Sequence, residues 1–267
     1  MGLSDVHAHL TDPRLAVQEA AILARAAEAG VTTIISNGLG PADNQRVAAL
    51  AARSPLVRPA FGLYPVTAVL PEMLAMGVDY PADDEAMPAE DAVAWLADNL
   101  DGCFAVGEIG LDHYWVPEAL WARQEAIFRS LVKLAMDADK PIIIHTRKAE
   151  RRAFEILTEL GARRVNWHCY SSKVKLGRRI AEAGHYLSIP ANARRADNFR
   201  RLLEILPRDR ILLETDCPYL SPVSGELNEP ANVSGTAAFA AELWGCSASS
   251  VCDQVTENFT RLFGEEP

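Results

Sequence analysis

Short apolar, β-branched runs alternate along this chain with longer stretches whose apolar positions recur at helical spacing. A first strand is expected around Asp5-Val6-His7-Ala8-His9, and further strands at 31–35, 56–61, 103–106, 141–145, 164–168, 185–189 and 211–216. Helical patterns fill 15–29, 43–52, 91–99, 117–138, 150–160, 172–183 and 197–206, and two more at 231–244 and 249–263 close the chain. Gly30, Gly161 and Gly184 stand where helices stop. The connection 66–90, with Asp83-Asp84-Glu85, is too long for an ordinary turn and reads as a functional or mobile segment.

Eight strand-like runs separated by helices predict a parallel sheet. The chain has 267 residues, and one (β/α)8 barrel takes roughly 250. The expectation is α/β: a single (β/α)8 TIM barrel, residues 1–267 in one domain, with an extra C-terminal helix.

The strands end in polar residues. Strand one ends in His7 and His9, strand four in Glu108, strand five in His145, strand six in His168 and strand eight in Asp216. On an extended strand His7 and His9 face one way, about 6–7 Å apart. Parallel barrels gather the carboxyl ends of their strands on one face. Four imidazoles and two carboxylates there exceed what one tetrahedral catalytic site uses. They suit two divalent metal ions roughly 3.5–4 Å apart. His113, beyond Glu108, is expected to line the pocket mouth. His185 starts a strand at the opposite end and reads as structural.

Composition adds limits. Hydrophobic residues make up 49% and charged residues 23%, as in ordinary globular enzymes. No apolar run nears the ~18 residues that span a bilayer. The N-terminus lacks a signal-peptide pattern, and Val6 occupies the Ser/Thr position of a myristoylation motif. The five scattered cysteines argue against a disulfide framework, so a reducing, cytoplasmic setting is expected. Net charge is −10, yet residues 147–210 carry 16 basic and 7 acidic groups. That stretch could present a basic surface to an anionic substrate or simply a set of solvated helix faces.

Asp5-Val6-His7-Ala8-His9-Leu10, Val106-Gly107-Glu108-Ile109-Gly110-Leu111-Asp112, Ile144-His145-Thr146-Arg147, His168-Cys169-Tyr170-Ser171, Glu214-Thr215-Asp216-Cys217-Pro218-Tyr219-Leu220 and Asn228-Glu229-Pro230 occur in this order. Together they resemble the signatures of the TatD-type metal-dependent deoxyribonuclease family, over about residues 3–263. The resemblance implies an amidohydrolase-like TIM barrel with two divalent ions, zinc, magnesium or manganese. By motif position His7, His9, Glu108 and Asp216 would hold the first ion. Glu108 would bridge to a second ion held by His145 and His168. Family members are associated with phosphodiester hydrolysis, including exonuclease action on DNA ends. This chain departs from the family pattern at Tyr64, where a His is usual, at Lys148, where an Asp is common, and at Ser224-Gly225-Glu226-Leu227, where basic residues are usual.

Metal-assisted hydrolysis of a phosphoester, with DNA or a small molecule as substrate, is therefore the expected activity. Asp216 is the expected base, Glu108 the expected bridging group, and Arg147, Tyr64, His113 and Asn228 the expected substrate contacts. The same activated water could attack an amide or ester, and Tyr64 and Leu227 favour that rival. A third reading is a non-catalytic binding barrel, which would be expected to have lost ligands. The molecule is expected as a monomer or weak oligomer.

Overall fold

The computed structural model describes residues 2–82 and 84–267, so Asp83 of the acidic connection lies outside the described residues. The strands are β1 (Leu3–Ala8), β2 (Val31–Asn37), β3 (Val57–Phe61), β4 (Ala105–Asp112), β5 (Ile142–Arg147), β6 (Val165–Trp167), β7 (Tyr186–Ile189) and β8 (Ile211–Leu213). They form one sheet in sequential order, with parallel pairings and helices between them. Past the end of β8 the chain returns to β1, where Asp216 N donates to His7 O at 2.9 Å and His9 N to Cys217 O at 2.8 Å. The fold is the expected (β/α)8 barrel. No helix among the described residues is long and apolar enough to cross a membrane.

The chain divides into two compact units. One comprises the segment ending at Ser36, Leu50–Arg58 and Asn166–Pro267. Its core holds Val6, Ile34, Trp167, Leu187, Leu212 and Phe259, all shut off from solvent. The C-terminal helix Ala248–Phe263 belongs to this core: Asn258 Nδ2 donates to Arg208 O and Ile211 O, both at 2.7 Å. Ser247 caps its start by accepting from Ser250 N at 3.1 Å.

The other unit comprises Asn37–Ala49 and Pro59–Val165. Helix Trp121–Asp137 buries Ile127, Phe128, Leu131 and Val132, and helix Glu150–Leu160 buries Ala153, Phe154, Ile156 and Leu157. Gly161 ends the latter at φ 72°, a left-handed conformation that costs glycine little.

Several boundaries differ from those expected. The stretch 15–29 is two helices, Pro13–Ala16 and Glu19–Glu28, because Asp12 starts a separate turn by accepting from Arg14 N at 2.8 Å. The helix expected at 43–52 runs Pro41–Arg53, and Asp43 within it accepts from Leu39 N at 3.0 Å. The connection 66–90 contains helix Leu70–Ala75, which buries Leu70 and Met73. β4 runs on to Asp112, and β8 stops at Leu213.

Phe259 is fully buried in the C-terminal helix. Phe259→Ala should lower the unfolding free energy by about 3–5 kcal/mol, the usual cost of emptying such a site. Urea denaturation checks this, and an unchanged midpoint would show that the helix packs without contributing stability.

Candidate metal centre

In the first unit, β1 carries His7 and His9 on one side, as alternation requires. Their Nε2 atoms lie 3.2 Å apart, and each faces Asp216 Oδ1, at 3.8 Å from His7 and 3.5 Å from His9. A tetrahedral ion with bonds of about 2.1 Å has ligand-to-ligand edges of about 3.4 Å. The three separations bracket that edge, so this triad fits a metal ion with only small adjustments. Two imidazoles and one carboxylate are a donor set that catalytic metal sites use. His168 approaches the same carboxylate, its Nε2 4.0 Å from Asp216 Oδ1, and its ring stacks on His7 with centroids 3.6 Å apart.

Asp216 and Cys169 both take left-handed backbone conformations, φ 56° and 43°. For residues other than glycine this costs on the order of 1–3 kcal/mol, and such strain gathers at functional sites. Local bonds hold them there. Cys169 N donates to Glu214 Oε1 at 2.8 Å, and Tyr219 N to Asp216 O at 2.9 Å. Glu214 also accepts from Ser188 Oγ at 2.6 Å and faces His168 Nδ1 at 3.2 Å. A carboxylate there favours the proton on Nδ1 and leaves the lone pair on Nε2. Asp5 ties β1 to the next loop by accepting from Thr215 N and Thr215 Oγ1. Burial pushes the Asp5 carboxyl up to about 8, against the pull of its bonds to Thr215. Burial opposes ionisation of Asp216 as well, but the facing imidazoles of His168, His9 and His7 and a hydrogen bond with His9 hold its carboxyl below the usual range.

The second unit assembles a matching set. The register between β4 and β5 shifts between Val106 and Ile109, at Glu108. Irregularities of this kind re-aim side chains beside active sites. His145 Nδ1 meets Glu108 Oε1 at 2.8 Å, and its Nε2 meets Asp112 Oδ2 at 3.1 Å. Burial alone would lower the His145 pKa, yet the bonds to Asp112 and Glu108 raise it overall. The strands come close because side chains are absent: a Cβ on Gly110 would stand 1.9 Å from His145 O, and one on Gly62 2.2 Å from Glu108 N. Tyr64 is half-buried, its ring edge-on to His145 at 4.9 Å, and burial raises its phenol well above the usual value. Arg147 is exposed at the end of β5.

Two expected substrate contacts are placed otherwise. His113 lies flat on Trp121, centroids 3.9 Å apart, with its Nε2 shut off from solvent and without a hydrogen-bond partner. That is the placement of a packing residue. Asn228 is fully buried; its Nδ2 donates to Thr215 O at 2.7 Å, and its Oδ1 accepts from Glu229 N and Asn232 Nδ2. It braces the strand end that carries Asp216, with no polar atom left for a substrate.

A family model for the TatD related DNase matches residues 4–264. The chain belongs to the TatD-related DNase family. It is 30% identical to the uncharacterized metal-dependent hydrolase YabD of Bacillus subtilis, over 98% of both chains. It is 28% identical to the human deoxyribonuclease TATDN3, over 98% of this chain and 95% of that one. The crystal structure of YJJV, a TatD homologue from Escherichia coli, superposes with a TM-score of 0.85 at 27% identity, covering 98% of each chain. The protein is thus a metal-dependent hydrolase of the TatD type.

Glu214→Gln keeps the shape of the side chain behind His168 but removes its charge. Loss of such a partner typically lowers metal affinity 10–100-fold. A chelator-competition titration should register a drop of that size, and wild-type affinity would rule out the orienting role.

Proposed function

We propose that residues 1–267 act as one hydrolase domain that cleaves phosphodiester bonds, with DNA or a small phosphoester as substrate. The reading rests above all on the triad of His7, His9 and Asp216, whose donor atoms lie within 4.8 Å of one another. The triad and Glu108 would hold a first divalent ion, and Glu108 with His145 and His168 would hold a second. Zinc suits the imidazoles, and magnesium or manganese the carboxylates. Two such ions, when bound, acidify a water and polarise the scissile phosphoryl group.

The side chains of the protein do the rest. Asp216, the carboxylate of the triad, takes the proton of the attacking water. Glu214 fixes the far ring nitrogen of His168 so that the near one keeps its lone pair, and Asp112 orients the His145 ring through its Nε2. Arg147, exposed at the rim, pairs with substrate phosphate. Tyr64, kept a neutral phenol by burial, lines the site beside His145. His113 and Asn228 act as packing and bracing residues instead. The human relative that carries the name deoxyribonuclease supports a nucleic-acid substrate. The proposal includes a monomer or weak oligomer in a reducing, cytoplasmic setting, which five free cysteines support.

Bis(p-nitrophenyl) phosphate, a short DNA strand and simple amides and esters form the deciding panel. The metal-loaded enzyme should cleave the two phosphodiesters, lose this activity in EDTA and regain it with zinc or manganese. Asp216→Asn, which tolerates the left-handed backbone, should lower kcat by about 10²–10⁴ with little change in unfolding midpoint. Cleavage confined to amides or esters would make the protein an amidohydrolase or esterase instead.

A further inference from the structure

We infer that Tyr114, Trp115, Arg147 and Lys148 form a platform that takes an unpaired nucleobase of the strand being cleaved, with its flanking phosphates on the two cations. This rests on the phosphodiesterase reading above and names the part of the substrate that the rim recognises.

Tyr114 and Trp115 are adjacent in sequence and 47% and 42% exposed. Large aromatic side chains left half in water contribute little to a core, yet the backbone that carries these two is tied down. Their backbone N–H groups both donate to Asp112 Oδ1, at 2.8 and 2.9 Å. The other oxygen of Asp112 binds His145 Nε2. One buried carboxylate therefore sets both the metal-site imidazole and the aromatic pair, and fixes their separation. The rings meet edge to face at 5.1 Å, and Tyr80 meets Trp115 edge to face at 5.5 Å.

Two cations flank the rings. The Arg147 guanidinium lies 3.8 Å over the Tyr114 ring, and Lys148 Nζ lies 4.8 Å from it. Among the described residues no carboxylate pairs with either cation, whereas Arg46, Arg53, Arg123 and Arg152 each hold one. Asp112 and Arg147 are register partners at the carboxyl ends of β4 and β5, the end at which barrels of this kind act. Exposed aromatic faces interleaved with unneutralised cations are the chemistry that binds unpaired nucleic acid: bases stack and phosphates pair. A base inside a duplex has both faces covered, so the occupant is an unpaired or frayed end. A simple amide offers the cations nothing, and a small phosphoester without a base leaves the rings idle.

The test compares two oligonucleotides that differ only in whether the terminal nucleotide carries a base or is abasic. Stacking of one base is worth roughly 5- to 100-fold in affinity. The metal-loaded wild type should favour the base-bearing end at least tenfold in kcat/KM. Trp115→Ala should lose most of that preference through KM, while Trp115→Phe, which keeps a ring, retains it. Arg147→Gln should weaken both substrates alike and reduce the salt slope of binding by about one. Equal preference in wild type and Trp115→Ala overturns the platform. Tryptophan fluorescence titrated with an uncleavable phosphorothioate strand needs no turnover and separates the two readings. Quenching by a base-bearing but not an abasic strand supports the platform even if no phosphodiester is cleaved. Cleavage of bis(p-nitrophenyl) phosphate without base preference sinks the platform and leaves the phosphodiesterase reading intact.

Discussion

The order of the candidate ligands within each unit depends on carboxylates that stand behind the imidazoles. A histidine ring can offer either nitrogen, and nothing in the ring itself decides which. Glu214 stands behind His168, and Asp112 behind His145, whose other nitrogen meets Glu108. Both acids are fully buried, and an ionised carboxylate inside a protein is costly unless its oxygens are satisfied. Glu214 draws on Ser188 and the Cys169 backbone, and Asp112 on the backbone of Tyr114 and Trp115. The satisfaction of each charge thus locks the loops that follow β6 and β4. The left-handed turn at Cys169 persists because the Glu214 bond holds it.

Much of the architecture was legible because burial leaves a periodic trace. Ile142, Ile143 and Ile144 could only be a buried strand, and helix Glu150–Leu160 with its Gly161 stop falls where the apolar spacing puts it. The ligand candidates stood out because a polar residue ending an apolar run is conspicuous. Glu214 and Asp112 lay in the quoted motifs yet carried no visible role, since their partners are 46 and 33 residues away. Pattern reports that a residue is buried and is silent on what it touches. The same blindness made His113 and Asn228 look like substrate contacts: both are polar and near motif residues, but their partners are Trp121 and the Thr215 carbonyl. The end of β8 was overrun because the left-handed turn at Asp216 has no signature in a non-glycine residue.

The departures from the family pattern now have physical settings. Tyr64, in place of the usual His, trades a titratable ring for a buried phenol packed on His145. Lys148, in place of an Asp, takes a left-handed conformation, φ 59°, and sets its ammonium against Tyr114. One change removes a cation from the inner wall, and the other replaces an anion with a cation at the rim. The positive charge of Lys148 stands at the rim, beside Arg147 and Tyr114.

That placement bears on how a chain of net charge −10 could hold an anionic strand. Net charge governs approach from afar, but at physiological salt the screening length is about 8 Å. Charges within that distance of the ligand decide, and they need not share the sign of the whole. The acidic connection is also less forbidding than its sequence suggests. Asp84 is held bidentately by Arg46 at 2.8 Å, and Arg46 reaches Asp43 as well. An aspartate so engaged presents the outer edge of an ion pair rather than a bare charge. Asp84 is thus engaged by Arg46, while Arg147 and Lys148 have no carboxylate partner among the described residues, so two cations stand unpaired at the β4–β5 rim of a chain that is acidic as a whole.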